Sequence, residues 1–202
     1  MPDLLFATTN AHKTAEVAAI LGPEWTLKNL ADFPELPSPE ETGETFPENA
    51  RIKALSASQV LPGLLVLADD SGLEVDALHG APGVRSARYA GPDATDADNR
   101  ARLKTELGKL PGAATLPPFP ARFRCSIALA RDGQILCEHD GAVEGVIQLE
   151  ETGAGGFGYD ALFVPEGHHE SFGVLPAETK NQLSHRARAL SRLKSWLAGN
   201  PV

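Results

Sequence analysis

The stretch LVLADDSGLEV, Leu65 to Val75, joins an apolar run to two adjacent carboxylates, Asp69 and Asp70, and then to Ser71-Gly72. Leu64 to Ala68 suits a buried strand, because a short unbroken apolar run marks a strand covered on both faces. Asp-Asp-Ser-Gly then reads as a turn, with a further short strand at Leu73 to Val75. A doubled negative charge beside an apolar strand is costly to desolvate. Either a divalent cation offsets it, or one carboxylate serves as a base, or an aspartate simply bonds its own turn. In α/β sheets ligands gather beyond the carboxyl ends of strands, which makes Asp69-Asp70 a candidate site.

Outward from that stretch, strands and helices alternate. LLFA, Leu4 to Ala7, reads as a buried strand, and the helix after TTNAHK carries Val17, Ile20 and Leu21 on one face before Gly22-Pro23. The acidic, proline-rich segment Asp32 to Gly43 predicts an exposed loop. Thr45 and Glu48 have capping-box spacing and start a second helix that ends before Pro62-Gly63. Thr95 with Asp98 caps a charged helix ending at Gly108, and PGAATLPPFPARF predicts a surface connection. RCSIALARDGQILCEH predicts a hairpin turning at Asp132-Gly133, and GAVEGVIQL a separate strand. The last helix, from about Ser184, aligns Leu190, Leu193 and Leu197, with Trp196 beside them. The pattern is α/β with a mixed central sheet flanked by helices.

Composition narrows the function. With 202 residues, the chain is expected to form one domain over 1–202. Eighteen basic against 27 acidic residues, a net charge of −9, argue against a nucleic-acid polymer as partner. A nucleotide remains compatible, since a metal ion and a few placed cations hold a triphosphate. MPDLLFATTN is too short in apolar run and lacks the basic start of a secretory leader, and no stretch has the length of a membrane span. In the predicted hairpin register Cys137 lies opposite Ala128, on the other face from Cys125. No disulfide is expected, and a cytoplasmic location follows.

Three further segments carry residue types suited to chemistry. In FATTNAHKTAEV a strand runs through Thr8, Thr9 and Asn10 into a helix with Lys13 in its first turn, and free backbone N–H groups there suit phosphate. The glycines of a Walker A loop are missing. Glu40-Glu41 is a second doubled carboxylate able to complete an oxygen-ligand shell with Asp70. In GGFGYD, glycines permit close backbone approach while Phe157 or Tyr159 offers a ring to stack on a base, and ETKNQLSHR adds Lys180, His185 and Arg186 as donors.

Taken in order, TTNAHKTAEV, EETGETFPENARIKA, ADDSGLEVDALHGAPGVRSARYAG, GGFGYDALFVPEG and ETKNQLSHRARAL resemble the inosine/xanthosine triphosphate pyrophosphatase family. The resemblance runs from Leu5 to about Leu190. It implies a two-lobed α/β protein with a cleft between the lobes, working as a homodimer with Mg²⁺ on noncanonical purine nucleoside triphosphates. The products would be a nucleoside monophosphate and pyrophosphate. The resemblance places phosphate binding on Thr8, Thr9, Asn10 and Lys13, and metal binding on Glu40, with Glu41 as its neighbour, and Asp70. The catalytic base falls on Asp70 and a substrate contact on Ser71. Base recognition falls on Phe157, Gly158, Tyr159 and Asp160, and the last contacts on Lys180, His185 and Arg186. Many members have Gly or Ser where this chain has Thr9, and a β-branched residue there resists a positive φ. A pyrimidine triphosphate pyrophosphatase and a non-catalytic nucleotide sensor are the competing readings.

Overall fold

The computed structural model describes residues 2–36, 39–112 and 117–200. Parts of the expected acidic loop (37–38) and of the proline-rich connection (113–116) lie outside the described residues. The elements are β1 (Asp3–Phe6), α1 (Ala11–Leu21), β2 (Thr26–Asn29), α2 (Phe46–Val60), β3 (Leu65–Val75) and α3 (Asp96–Gly108). They continue with β4 (Phe119–Arg131), β5 (Gln134–Ile147), β6 (Phe163–Pro165), α4 (Ala177–Leu183) and α5 (His185–Gly199). One six-stranded sheet has the order β2-β1-β3-β4-β5-β6. It is mixed: β1 runs parallel to β2 and β3, while β5 and β6 are antiparallel.

Three helices start on side-chain caps, two of them, at Thr45 and Thr95, where the sequence places them. Asn10 Oδ1 accepts from the His12 and Lys13 amides to start α1. Thr45 with Glu48, and Thr95 with Asp98, form reciprocal capping boxes that start α2 and α3. Asp132 and Gly133 take φ values of 52° and 74°, the left-handed pair that a two-residue hairpin turn between β4 and β5 needs.

The chain divides into two compact units. The first comprises Met1–Asp70, Cys125–Gly141 and His185–Val202. Strand alternation there sorts two apolar layers. Leu4, Phe6, Leu65 and Leu67 pack with Val17 and Leu21 of α1 and Leu190 and Leu193 of α5. Leu5, Ala7, Val66 and Ala68 pack with Ala50, Ala54 and Ala57 of α2. The second unit comprises Ser71–Arg124 and Ala142–Ser184. Its core sets Leu103 and Leu107 of α3 beside the rings of Phe123, Phe163 and Phe172, with Phe123 and Phe163 centred 4.7 Å apart.

Two expectations are corrected. The Asp-Asp-Ser-Gly segment is not a turn: β3 runs unbroken through it for 11 residues, so Asp69 and Asp70 lie within a strand. Turn-forming composition yields here to pairing in the sheet and to the ammonium and guanidinium groups that pair with both carboxylates. Likewise GAVEGVIQL begins no separate strand: Gly141 to Ile147 form the second half of the 14-residue β5, and Gln148 and Leu149 follow it. Gly141, which suggests a break, is needed for contact. A Cβ there would stand 2.1 Å from the His185 carbonyl oxygen and 2.6 Å from the Ala189 nitrogen, where α5 crosses the strand. The short β2, β6 and α4 have no counterpart in the sequence reading. No described helix is long and apolar enough to cross a membrane. Cys125 and Cys137 are both free thiols.

Candidate active site

Within the first unit, the site follows from strand parity. Successive residues of β3 face opposite sides, so Asp69 continues the Leu65–Leu67 row toward α1 and α5, while Asp70 continues the Val66–Ala68 row toward α2. The two adjacent charges are thereby held apart, each with its own partners. β1 ends at Phe6, opposite Leu67, and Ala7 N–H closes the ladder on the Leu67 carbonyl. Asp69 and Asp70 therefore lie just past the carboxyl end of β1, level with the start of α1.

Asp69 is buried between cations. Lys13 Nζ lies 3.0 Å from Oδ1, and Arg186 Nε and Nη2 lie 3.2 Å and 2.9 Å from Oδ2. Arg186 is itself fully buried, and its Nη1 bonds Glu16 of α1. Burial alone would push the Asp69 carboxyl up, but the charges of Lys13, Arg186 and Lys53 outweigh it and hold the group well below the usual carboxylate range. Cys125 Sγ, 3.9 Å from Asp69 Oδ2, is pushed to about 12 by burial and by Asp69, so it stays a thiol.

Asp70 is held from α2. Asn49 Nδ2 donates to Oδ2 at 3.1 Å, and Lys53, one helical turn on, places Nζ 3.4 Å from Oδ1. Lys53 Nζ also lies 3.1 Å from Glu41 Oε1. Burial raises the Asp70 carboxyl above its ordinary value and Glu41 adds to this, while Lys53, Lys13 and Asn49 lower it without cancelling the rise. One aspartate is thus fixed as an anion and its neighbour is left the stronger base. That split is a signature of acid–base sites.

Of the expected phosphate segment, Thr8 Oγ1 accepts the Asn10 amide and Asn10 accepts two helix amides, so these donors are already taken rather than open. Thr9 is exposed, and among the described residues only His79 and Asp132 are non-glycine positions with positive φ. The β-branched residue at Thr9 is therefore unstrained. Glu40 is exposed and bonds to neither Asp70 nor Lys53, whereas Glu41 is half-buried beside them. Among the described residues no three His, Cys, Asp or Glu side chains gather as a metal site. Ser71 follows Asp70 in β3 and is half-buried. His185 opens α5, buried, where its carbonyl crosses Gly141.

In the second unit, GGFGYD folds around its own aspartate. Asp160 Oδ2 accepts from the Phe157 amide at 2.8 Å and from Lys180 Nζ, both ionic partners being buried. The Lys180 ammonium also stands 4.7 Å from the centre of the Phe157 ring. Gly156, with φ of 70°, leaves room for the carboxylate: a Cβ there would come within 2.1 Å of Asp160 Oδ2. Gly158 is pinned to α3, its N–H donating to Asp96 at 2.6 Å and its carbonyl accepting from Arg100 at 2.8 Å. Tyr159 is not a free stacking ring. It is buried in the core, and its hydroxyl donates to the Ser86 carbonyl at 2.8 Å.

The sequence reading missed Asn49, Lys53, Asp96 and Arg100. Asn49 and Lys53 had a signal: they are the polar members, four apart, of an otherwise alanine-lined face of α2 (Ala50, Ala54, Ala57). Asp96 and Arg100 had none beyond helical spacing.

Adjacent buried carboxylates in contrasting surroundings on a mixed α/β sheet are the arrangement an acid–base enzyme uses. More narrowly, the chain belongs to the Ham1 family, whose sequence profile matches residues 4–196. It is 48% identical over 198 residues to the dITP/XTP pyrophosphatase of Geobacter sulfurreducens, covering 98% of this chain and 97% of that one. The dITP/XTP pyrophosphatase of Halalkalibacterium halodurans is 46% identical over 198 residues, 98% of this chain and 100% of that one. Among solved structures, a HAM1 protein from Coxiella burnetii superposes with a TM-score of 0.84 at 40% identity, covering 98% of this chain and 100% of that one.

Proposed function

We propose that this chain hydrolyses noncanonical purine nucleoside triphosphates, ITP or dITP and XTP, to the nucleoside monophosphate and pyrophosphate. One observation carries the mechanism. Asp70 is buried, and both its oxygens are oriented from α2 by Asn49 and Lys53. In the reaction Asp70 takes a proton from a water whose oxygen bonds the α-phosphorus, and the bond from that phosphorus to the bridging oxygen breaks, releasing pyrophosphate. Asp69 acts through others: as a fixed anion it positions Lys13 and Arg186.

The donor set fits a hard divalent ion, because Mg²⁺ is bound by one or two carboxylates together with phosphate oxygens and water. Asp70 with Glu41, or with Glu40 as the family resemblance has it, would hold Mg²⁺, which when bound offsets charge on the phosphate oxygens. The Lys13 ammonium adds a positive charge at the start of α1.

Base recognition is assigned to Lys180 and the ring of Phe157. Hypoxanthine and xanthine present an oxygen at position 6 where adenine presents an amino donor, and an ammonium pairs only with the former. Arg186 is poorly suited to that task, since its Nε, Nη1 and Nη2 face Asp69 and Glu16. The family resemblance carries the homodimer, and the two free thiols fit a reducing, cytoplasmic setting.

Pyrophosphate release measured side by side on ITP, XTP, GTP, ATP and a pyrimidine triphosphate tests the reading. Turnover of ITP and XTP well above the others is expected. Equal rates on all purines, or a pyrimidine preference, would overturn it.

A further inference from the structure

Lys53 occupies an unusual position for a buried lysine. Its side chain is 12% exposed, and its ammonium lies 3.1 Å from Glu41 Oε1 and 3.4 Å from Asp70 Oδ1. Asp70 is assigned above to a divalent cation, and Glu41 is one of the two glutamates named there as its second carboxylate. A metal bridging them needs the space and the lone pairs that the ammonium now holds. The Glu41 and Asp70 side chains are 27% and 8% exposed and carry like charge, so a positive group between them offsets their repulsion. Lys53 is long enough to reach that point from α2 and flexible enough to leave it. Arginine, a planar fork, would not vacate the place so readily.

We propose that the Lys53 ammonium and a divalent cation are alternative occupants of the Asp70–Glu41 pair. Lys53 holds the carboxylates together while the cation is absent, and it must swing away when the cation arrives. Its presence weakens metal binding to the free protein, so tight metal loading waits for a polyanionic ligand that adds its own oxygens. Lys53 is a positioning residue in this scheme, acting through Asp70. The inference rests on the assignment of Asp70 and Glu41 to the cation.

The test is Mn²⁺ binding to the nucleotide-free chain, followed by the spin-resonance signal of the free ion, with Mg²⁺ as competitor. Lys53→Met should bind Mn²⁺ at least about tenfold more tightly than the native chain, equivalent to ~1.4 kcal/mol. Lys53→Arg should bind no better than native. Adding Glu41→Gln to Lys53→Met should abolish the gain. A folded Lys53→Met protein, judged by its circular dichroism and melting, that binds Mn²⁺ no better than native overturns the proposal.

A second measurement needs no variant. Labelling of Lys53 in the native chain by an amine-directed reagent, read by mass spectrometry, should rise several-fold at saturating Mn²⁺ as the ammonium is expelled. Unchanged labelling at saturation also overturns it. Neither readout depends on turnover, so native pyrophosphate release combined with a negative result here would sink this inference alone.

Discussion

Asn49 donates to Asp70 Oδ2 at 3.1 Å while its own side-chain oxygen accepts the Gly43 amide at 2.8 Å. The second bond fixes which way the amide faces, so Asn49 can present only donors to the aspartate. Gly43 is required for this arrangement, because a Cβ there would lie 2.7 Å from Asn49 Oδ1. One side chain therefore ties the segment that carries Glu40 and Glu41 to the proposed base.

Asn49→Ala should lower kcat about 10–100-fold, the usual effect of removing a residue that orients a functional group. A donor to the ionised carboxylate favours that form, so its loss should move the acid limb of the kcat/KM profile to higher pH. A variant with reduced kcat but an unmoved acid limb would show that Asn49 supports only the fold.

Asp69→Asn tests the other face of β3. The substitution leaves Arg186 buried with one fewer anion, which should cost about 3–5 kcal/mol in denaturant unfolding. The pH dependence has a definite sign. The folded pKa of Asp69 is depressed, so its contribution is complete above the ordinary carboxylate value near 3.8 and is lost as pH falls below that toward the folded pKa. Native stability should fall on acidification below about pH 4, and the Asp69→Asn variant should lack this component. Identical slopes would mean the charge is balanced elsewhere.

Asp70→Asn should behave in the opposite way. The raised folded pKa means that the charged form is destabilising at neutral pH, and that protonation on acidification through the folded pKa relieves the penalty. The variant should lose pyrophosphate release while melting at pH 7 no lower than the native chain. Retained turnover in a folded Asp70→Asn protein would remove Asp70 from the role of base.

The legibility of these features follows from the range over which each is determined. Helices α1, α2 and α3 were readable because Asn10, Thr45 with Glu48, and Thr95 with Asp98 act within one helical turn. The mixed α/β architecture followed from apolar runs alternating with such helices. The course of β3 was not readable, because Asp-Asp-Ser-Gly has the composition of a turn. The cations that let it remain a strand come from Lys13, Lys53 and Arg186, far off in sequence. The same remoteness hid the different partners of Asp69 and Asp70. The residues of GGFGYD and Lys180 were readable as a block, but which of them turns into the core depended on Tyr159 bonding Ser86 there.

Gly156 is where that block is most sensitive. Its φ of 70° disfavours any side chain, and an added methyl would meet Asp160 Oδ2 at 2.1 Å. Gly156→Ala must therefore displace the carboxylate that receives the Phe157 amide and the Lys180 ammonium. None of the side chains that a Cβ at Gly156 would meet is a partner of Asp70, so the chemical step should survive. The expected result is a KM for ITP raised about tenfold or more with kcat altered far less, because binding common to ground and transition states is what is lost. Discrimination against ATP should shrink in parallel as the ammonium loses its fixed direction. Steady-state kinetics on ITP and ATP measure both, and a fall in kcat at constant KM and constant discrimination would show that this loop does not read the base.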